Sequence, residues 1–257
     1  MDLKLTGRTA LVTGGSRGIG FGVAQLLAAE GCHLHLASRN ATTLDAARAK
    51  LTAEHGVNIT VHALDLSTLE NAAKLVAACG PVDILVNNAG AIPQGTIAEL
   101  DDATWRQAWD LKVFGFINLT REIYRDMCAR KRGVIVNVVG SAGERPTAAY
   151  IAGGMANAGL MAMSRALGAE APDHGVRVVA INPGATETDR QIVRWKARAQ
   201  KQFGDEERWR ELTTGFPFGR LATVDEVAAM IVFLCSERSS YTTGTVVTVD
   251  GGLGYRK

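Results

Sequence analysis

The sequence predicts an α/β fold with a doubly wound parallel sheet in a single domain, and three observations carry this prediction. Short runs rich in Val and Ile alternate with longer Ala- and Leu-rich runs along the whole length. The short runs do not alternate cleanly between apolar and polar residues, which is typical of parallel strands buried on both faces. The chain has 257 residues, 47% of them hydrophobic, which suits one large core better than two small ones.

Seven short apolar runs predict the strands of the sheet. They cover residues 9–12, 33–37, 60–63, 84–86, 133–138, 177–181 and 246–249. The longer runs between them predict helices, for example over residues 20–30, 41–55 and 71–78. Alternation of strands and helices through the whole chain is the pattern of a doubly wound sheet.

One segment, residues 185–220, contains no strand and predicts an insertion. It combines many Arg and Lys residues with aromatic ones. Two interpretations remain open: a lid over the substrate, or a pair of solvated amphipathic helices. As a lid it favours an aromatic or anionic substrate. The aromatic residues are Trp195, Phe203, Trp209, Phe216 and Phe218.

Composition excludes several classes of function. The formal net charge is +2, which gives no reason to expect nucleic acid or an anionic membrane as partner. No signal peptide or membrane span is expected. The four cysteines are scattered without metal-ligand spacing, and we interpret them as buried thiols of a cytoplasmic protein. His33 and His35 share one face of a strand, where structural histidines are expected and a metal site is not.

A glycine-rich turn follows the first predicted strand. The sequence TGGSRGIG, residues 13–20, lies between that strand and a helical run. Glycines at 14, 18 and 20 permit a tight turn and a close approach of the backbone to a phosphate. The start of the following helix adds free N–H groups and the positive end of its dipole. The context therefore indicates a nucleotide phosphate site.

The end of the second strand indicates which nucleotide binds. A site that prefers NAD usually has an acidic residue here, and this chain has Ser38 and Arg39. Arg17, inside the glycine-rich turn, is a second cation. Two arginines suit a 2′-phosphate, so the pair favours NADP(H). The alternative is that both are ordinary surface arginines.

Four motifs in this order resemble the short-chain dehydrogenase/reductase family, in its single-domain type. They are TGGSRGIG at 13–20, NNAG at 87–90, NPGATETD at 182–189, and the closing segment at 219–252. The resemblance covers nearly the whole chain. It implies a single NADP-binding Rossmann domain over residues 1–257, with the segment at about 185–220 as a substrate lid. It also implies a homodimer or homotetramer with the last strand near an interface.

The resemblance assigns cofactor contacts position by position. Asp65 and Leu66 would flank the adenine, although Asp65 could instead cap a helix. The segment from Asn88 to Gly90 would line the nicotinamide ribose, and the turn after residue 182 would hold the carboxamide. The full expected set is Gly14, Ser16, Arg17, Gly18, Ile19, Gly20, Ser38, Arg39, Asp65, Leu66, Asn88, Ala89, Gly90, Pro183, Gly184, Thr186 and Thr188.

The catalytic motif departs from the family pattern of Asn, Ser, Tyr and Lys. Ser141 matches the serine. Tyr150 is the candidate tyrosine, but it follows Ser141 by nine positions where the family usually has about thirteen, and alignment on the downstream helix puts Gly153 at the tyrosine position instead. Counted from Tyr150, the lysine position holds Gly154; counted from the downstream helix, it holds Asn157. A phenol with an ordinary pKa near 10 is a poor base at neutral pH, so a cation beside it is expected.

Lys112 is the candidate replacement for that cation. It stands at the family's asparagine position, on a helix expected beside the missing lysine. Gly153 and Gly154 are expected to leave an open space below the Tyr150 ring that admits the Lys112 side chain or a bulky substrate. The alternative is a lysine that reaches out to solvent. Ser141, Tyr150 and Lys112 are the expected catalytic set.

Three classes of function fit these observations. The leading prediction is an NADP(H)-dependent alcohol dehydrogenase or carbonyl reductase with a rearranged Ser/Tyr/Lys site. A non-redox enzyme on the same scaffold, such as a lyase, hydrolase or epimerase, is the second. A catalytically silent NADP(H)-sensing protein is the third, because fold alone does not choose among them.

Overall fold

The computed structural model describes residues 1–256 and contains the predicted parallel sheet. All neighbouring strands pair in parallel. The observed strand ends lie within two residues of the predicted ones. The strands are β1 (Thr9–Thr13), β2 (His33–Ser38), β3 (Ile59–Ala63), β4 (Ile84–Asn87), β5 (Gly133–Val138), β6 (Val176–Pro183) and β7 (Val246–Val249).

Eight α-helices connect and flank the strands. They are α1 (Gly18–Ala29), α2 (Ala41–His55), α3 (Leu69–Cys79), α4 (Asp102–Trp109), α5 (Gly115–Arg130), α6 (Ile151–Glu170), α7 (Asp189–Phe203) and α8 (Val224–Cys235). Several begin at a side-chain cap: Asn40 accepts from the Thr43 N–H, and Thr223 forms a capping box with Glu226. A five-residue π-helix, Asp110–Phe114, joins α4 to α5.

The strand order β3-β2-β1-β4-β5-β6-β7 places a reversal between β1 and β4. The chain winds outward from β1 to β3, then returns to the other side of β1 to begin β4. Connections leave these two strands toward opposite sides, which opens a crevice at their carboxyl ends. The glycine-rich turn after β1 and the NNAG motif at the end of β4 both lie at this edge.

Buried side chains cover both faces of the sheet. One core cluster contains Leu27 of α1, Leu44 of α2 and Ile231 of α8. The other contains Leu75 of α3 and Leu119 of α5. Because apolar side chains meet helices on both sides, the strands read as continuous Val and Ile runs rather than alternating ones.

Residues 185–220 form a small packed unit beside the carboxyl edge. After α7 the chain continues in short 3₁₀ turns, Glu206–Thr213 and Pro217–Gly219. Trp195, Phe203 and Phe216 pack against a buried centre of their own that includes Trp209. The segment is therefore more than a solvated helix pair, since it has its own apolar core. Within residues 1–256, no helix is both long and apolar enough to cross a membrane.

Candidate active site

The glycine-rich turn presents the free N-terminus of α1 to the crevice. Gly14 and Gly18 have φ values of 67° and 57°, which favour glycine. A Cβ on Gly20 would lie 2.3 Å from the Gly14 carbonyl oxygen, so no side chain fits there. Arg17 precedes α1 in extended conformation, and no side chain caps the first N–H groups. This turn fits a phosphate, because no side-chain cap engages the N–H groups at the start of α1.

Two arginines lie where a 2′-phosphate is expected. Arg17 and Arg39 are both exposed, and neither pairs with a carboxylate of residues 1–256. Between them the Ser16 and Ser38 hydroxyls lie 3.3 Å apart. The glycine-rich turn, the end of β2 and their arginines therefore form one cationic, hydroxyl-bearing surface. Ile19 lies one residue into the first turn of α1.

The end of β4 is tied to the end of β1. The Thr13 hydroxyl accepts hydrogen bonds from the backbone N–H groups of Asn88 and Ala89, at 2.9 and 3.0 Å. The Asn88 side chain donates to the Thr13 carbonyl at 3.0 Å. These bonds fix the segment from Asn88 to Gly90 at the switch point. Asn88 and Ala89 thus lie beside the glycine-rich turn, and Gly90 follows them directly.

Asp65 and Leu66 occupy the loop after β3. The Asp65 carboxylate accepts from the Ser67 N–H at 3.1 Å, forming a local turn. The N-cap of α3 is Thr68, so Asp65 is not the helix cap that the sequence left open. Leu66 is buried against the second core cluster.

The carboxamide-binding candidates follow β6. Pro183 ends the strand, and a Cβ on Gly184 would lie 2.8 Å from the Asp250 side chain. Thr186 is buried and donates to the Gly184 carbonyl at 3.1 Å, while Thr188 caps α7. These residues share the sheet edge with the glycine-rich turn, since Gly18 approaches Thr188.

Tyr150 lies immediately before α6, with its ring folded over the first turn of that helix. An ideal Cβ on Gly153 would lie 2.1 Å from the Tyr150 ring. The prediction of an open space below the ring is therefore wrong, because the ring itself fills the space that Gly153 leaves. The ring also packs with a cluster that includes Ile92 and Ala152. The glycine thus seats the phenol rather than admitting a lysine or a substrate.

Burial and two arginines act on the Tyr150 hydroxyl. Burial raises the pKa of the phenol above its ordinary value of 10.0, and the positive charges of Arg194 and Arg190 oppose that rise. The hydroxyl is therefore protonated at neutral pH and faces cations that favour its phenolate once the proton has left.

Lys112 is buried, and its ammonium bonds to the backbone of β5. Its side chain lies in the π-helix, and its Nζ donates to the Val138 carbonyl at 2.7 Å and stands 4.5 Å from the Phe116 ring centre. The stem passes under Gly90, where an added Cβ would lie 2.4 Å from Lys112 Cδ. Lys112 does not reach out to solvent, and its hydrogen bond goes to Val138 rather than to Tyr150.

Burial is also the main cause of an unusual ionisation of Lys112. It lowers the pKa of the ammonium to about 7, and the charge of Arg190 lowers it further in the same direction. The charge of Lys112 therefore changes within the neutral range, which suits a group near the reacting atoms.

Ser141 and Asn157 meet at the end of β5. Ser141 starts a 3₁₀ turn directly after Gly140, whose φ is 126°. Asn157, the residue at the alternative lysine position, is buried, and its amide donates to the Gly140 carbonyl at 3.2 Å. The lysine position of this helix thus holds an amide that fastens α6 to the strand end below Ser141.

Arg190 is a site residue that the sequence analysis did not single out. It lies in the first turn of α7, and its guanidinium donates to the Gly90 carbonyl at 3.2 Å across the crevice. Its pKa is lowered first by burial and then by the charges of Arg194, Arg17 and Arg39. The sequence does contain a pattern that points to Arg190. Arg190 and Arg194 are four residues apart, directly after NPGATETD, so they share one face of the helix that follows this motif.

Comparison with known proteins gives the family. A family model described as enoyl-(acyl carrier protein) reductase matches residues 14–254. Galactitol 2-dehydrogenase (L-tagatose-forming) of Cereibacter sphaeroides is 38% identical, over 97% of this chain and 96% of that protein. 2-Keto-3-deoxy-L-fuconate dehydrogenase of Xanthomonas campestris pv. campestris is 33% identical, over 98% of this chain and 81% of that protein.

A solved structure matches the entire fold. L-Sorbose reductase from Gluconobacter frateurii, in complex with NADPH and L-sorbose, superposes with a TM-score of 0.94 at 33% identity and covers 100% of both chains. The strand order, the glycine-rich turn and these full-length similarities agree, and the chain therefore belongs to the short-chain dehydrogenase/reductase family of oxidoreductases.

Proposed function

We propose that this NADP-dependent oxidoreductase reduces the ketone of a small polyhydroxylated substrate, with Tyr150 as the proton donor. The proposal rests on the position of Tyr150. Its ring fills the space left by Gly153. Burial raises the pKa of its hydroxyl, and the charges of Arg194 and Arg190 oppose that rise. The cofactor candidates Asn88, Ala89 and Gly90 line the same sheet edge, and Arg190 bridges to Gly90.

The ionisation of Tyr150 suits reduction. Bound NADPH supplies the hydride. Because burial raises its pKa, Tyr150 is a protonated phenol at neutral pH and can donate to the developing alkoxide. Arg190 and Arg194 then stabilise the phenolate. The two arginines thus take the charge-balancing part that the missing motif lysine would have in relatives.

Lys112 supports the same site from below. Its stem packs under Gly90, and its ammonium holds the Val138 carbonyl at the end of β5. We propose that Lys112 positions Gly90 and the end of β5. Because its pKa is about 7, it also adds a positive charge when it is protonated near neutral pH. Ser141, at the same strand end, hydrogen-bonds the substrate oxygen in this proposal.

The substrate class follows from charge and from relatives. The side chains acting on Tyr150 are cationic, and no carboxylate of residues 1–256 acts on it. Trp195, Phe203 and Phe216 pack into the apolar centre of the lid segment, which argues against an aromatic substrate. The related proteins above are named for a sugar alcohol, a ketose and a keto sugar acid. We therefore propose a hydroxylated ketone, with an acidic one preferred over a neutral one.

The proposed preference for NADP(H) rests on Arg17 and Arg39. Arg17 and Arg39 flank the Ser16 and Ser38 hydroxyls without any carboxylate to compete for them. A 2′-phosphate supplies the missing anion, and two guanidinium groups bind it as forked donors.

The proposed enzyme is a cytoplasmic homodimer or homotetramer. The four cysteines are free thiols, as expected in a reducing compartment. Strand β7 lies at one edge of the sheet with half-buried residues and an unpaired side, which another copy could cover. Light scattering of the purified protein tests the assembly.

NADPH consumption tests the function. Wild type is mixed with NADPH and L-sorbose, L-tagatose or a 2-keto sugar acid, beside Tyr150→Phe and the matched control Tyr241→Phe, whose ring is fully exposed. We expect turnover by wild type and control, and a fall in kcat of about 10²- to 10⁴-fold in Tyr150→Phe with NADPH affinity unchanged.

Other outcomes of this experiment separate the alternatives. Full turnover by Tyr150→Phe would remove the proton-donor assignment. Tight NADPH binding with no turnover of any carbonyl would favour a sensing protein. Conversion of substrate without NADPH consumption would favour a non-redox enzyme.

A further inference from the structure

A cluster of three metal-ligating side chains lies apart from the proposed active site. His35 of β2, His62 of β3 and Cys79 at the end of α3 each offer one ligand atom, and these atoms all lie within 4.8 Å of one another. We propose that they bind a borderline or soft divalent transition metal, with Zn²⁺ as the representative ion.

Sheet register brings the two histidines together. His62 is the register partner of Ala37, and His35 stands two residues before Ala37, on the same face of β2. That face packs against α3, because Ala37 and Cys79 share a core cluster with Leu75. Two ligands are therefore fixed by the hydrogen-bonded sheet and the third by a packed helix, so little conformational entropy is lost when they converge.

The distances are close to those of a metal site. His35 Nδ1 lies 2.9 Å from His62 Nε2, and Cys79 Sγ lies 3.8 Å from the same nitrogen. Tetrahedral zinc, with bonds of about 2.0–2.1 Å to nitrogen and 2.3 Å to sulfur, requires about 3.3 Å between nitrogens and about 3.6 Å between nitrogen and sulfur. The two pairs that involve His62 therefore lie within about 0.4 Å of these values. The His35 and Cys79 atoms lie within 4.8 Å of each other and must approach by up to about 1.2 Å.

The donor set selects the class of metal. Two imidazoles and a thiolate suit Zn²⁺, Co²⁺ or copper, whereas Mg²⁺ and Ca²⁺ prefer oxygen. All three residues are half-buried, so an ion and a fourth ligand, water, can enter. Bound metal would cross-link β2, the edge strand β3 and α3, next to the loop after β3 that carries Asp65. This proposal does not depend on the proposed reaction.

Cobalt provides the spectroscopic test. Full-length protein is freed of metal with a chelator, exchanged into buffer and titrated with Co²⁺, then with Zn²⁺ as competitor. We expect one equivalent of Co²⁺, the visible bands of a tetrahedral site and a near-ultraviolet thiolate-to-cobalt band, all displaced by Zn²⁺. Zn²⁺ should also raise Tm, by an amount that grows with the logarithm of its concentration once the site is saturated, because it binds the folded state in preference to the unfolded one.

Ligand variants decide the location. Cys79→Ser should abolish the thiolate band, and Cys79→Ser and His62→Gln should each weaken Zn²⁺ binding at least about 100-fold. The matched controls are Cys128→Ser, another half-buried thiol, and His174→Gln, a surface histidine. Both should bind like wild type. Circular dichroism of each metal-free variant establishes that it is folded.

Three results would overturn the proposal. The first is failure of folded wild type to take up one equivalent of either ion. The second is uptake without a thiolate band. The third is uptake that survives Cys79→Ser and His62→Gln, or that falls equally in the controls. In each case the histidine pair would be a hydrogen-bonded structural contact only.

Discussion

Tyr150 and Lys112 show how strongly burial sets the chemistry of single residues. Tyr150 packs against Gly153 and Lys112 against Gly90, and in each case the absence of a Cβ leaves room for the side chain. Burial raises the pKa of the phenol and lowers that of the ammonium, so both neutral forms are favoured. Arg190 and Arg194 therefore supply the permanent positive charge of the site, since guanidinium groups remain protonated.

The depressed pKa of Lys112 predicts a pH-dependent stability. Its folded pKa is about 7 and its unfolded value is 10.5, so between these values the unfolded chain binds the extra proton. The folded state therefore gains stability as pH rises from 7 to 10, by up to about 1.4 kcal/mol per pH unit for one proton. Lys112→Met removes this contribution.

The difference in free energy of unfolding between wild type and Lys112→Met isolates the contribution of the lysine. Urea unfolding of wild type and Lys112→Met is measured at pH 7, 8.5 and 10. The free energy of unfolding of wild type should rise relative to that of the variant as pH rises. Parallel curves over this range would mean that Lys112 keeps an ordinary pKa and is not buried as described.

Arg39 carries a prediction about cofactor choice. Arg39→Asp places an anion where the 2′-phosphate would bind, so KM for NADPH should rise about 10- to 100-fold while KM for NADH stays level or falls. Arg125→Asp, an exposed arginine on α5, controls for net charge. An unchanged NADPH preference in Arg39→Asp, measured by steady-state kinetics, would place the 2′-phosphate elsewhere.

At the scale of elements, the first turns of α6 and α7 build the site. Tyr150 precedes α6 and folds onto Gly153, while Arg190 in the first turn of α7 reaches Gly90. Between α4 and α5 the π-helix, in which hydrogen bonds join residues five apart, carries the buried Lys112. These three segments thus bring Tyr150, Arg190 and Lys112 to the carboxyl edge of the sheet.

Two glycines of α6, Gly153 and Gly159, are expected to respond differently to substitution by alanine. Gly153→Ala introduces a Cβ into the Tyr150 ring, so the phenol must move, and kcat should fall at least about 10-fold with NADPH affinity retained. Gly159→Ala, on the same helix, meets open space and should raise stability by up to about 1 kcal/mol without loss of activity. Equal kinetics in the two variants would show that the seat of Tyr150 does not matter for turnover.

Sequence patterns predicted the elements well because each has a local cause. The strand and helix runs depend on neighbours in sequence, and the sheet follows from their alternation. The Asn157 amide bond, the Arg190 contact and the His35–His62–Cys79 cluster join residues from separate elements. Spacing along the chain carries no direct signal for such contacts, so the sequence predicted no metal site.

At the scale of the molecule, charge is distributed far from evenly. The net charge is only +2, yet Arg17, Arg39, Arg190 and Arg194 gather at the carboxyl edge of the sheet. This edge attracts the phosphates of a dinucleotide and favours an anionic substrate. The overall charge predicted the absence of a nucleic-acid surface, but only the fold shows where the arginines converge.

A crystal structure with NADP⁺ and a substrate ketone tests the role of Tyr150 as proton donor, because it locates the Tyr150 hydroxyl relative to nicotinamide C4. We predict that the Tyr150 hydroxyl lies within hydrogen-bonding distance of the substrate carbonyl oxygen, beside nicotinamide C4, and that Arg17 and Arg39 contact the 2′-phosphate. A Tyr150 hydroxyl turned away from that oxygen would contradict its assignment as the proton donor.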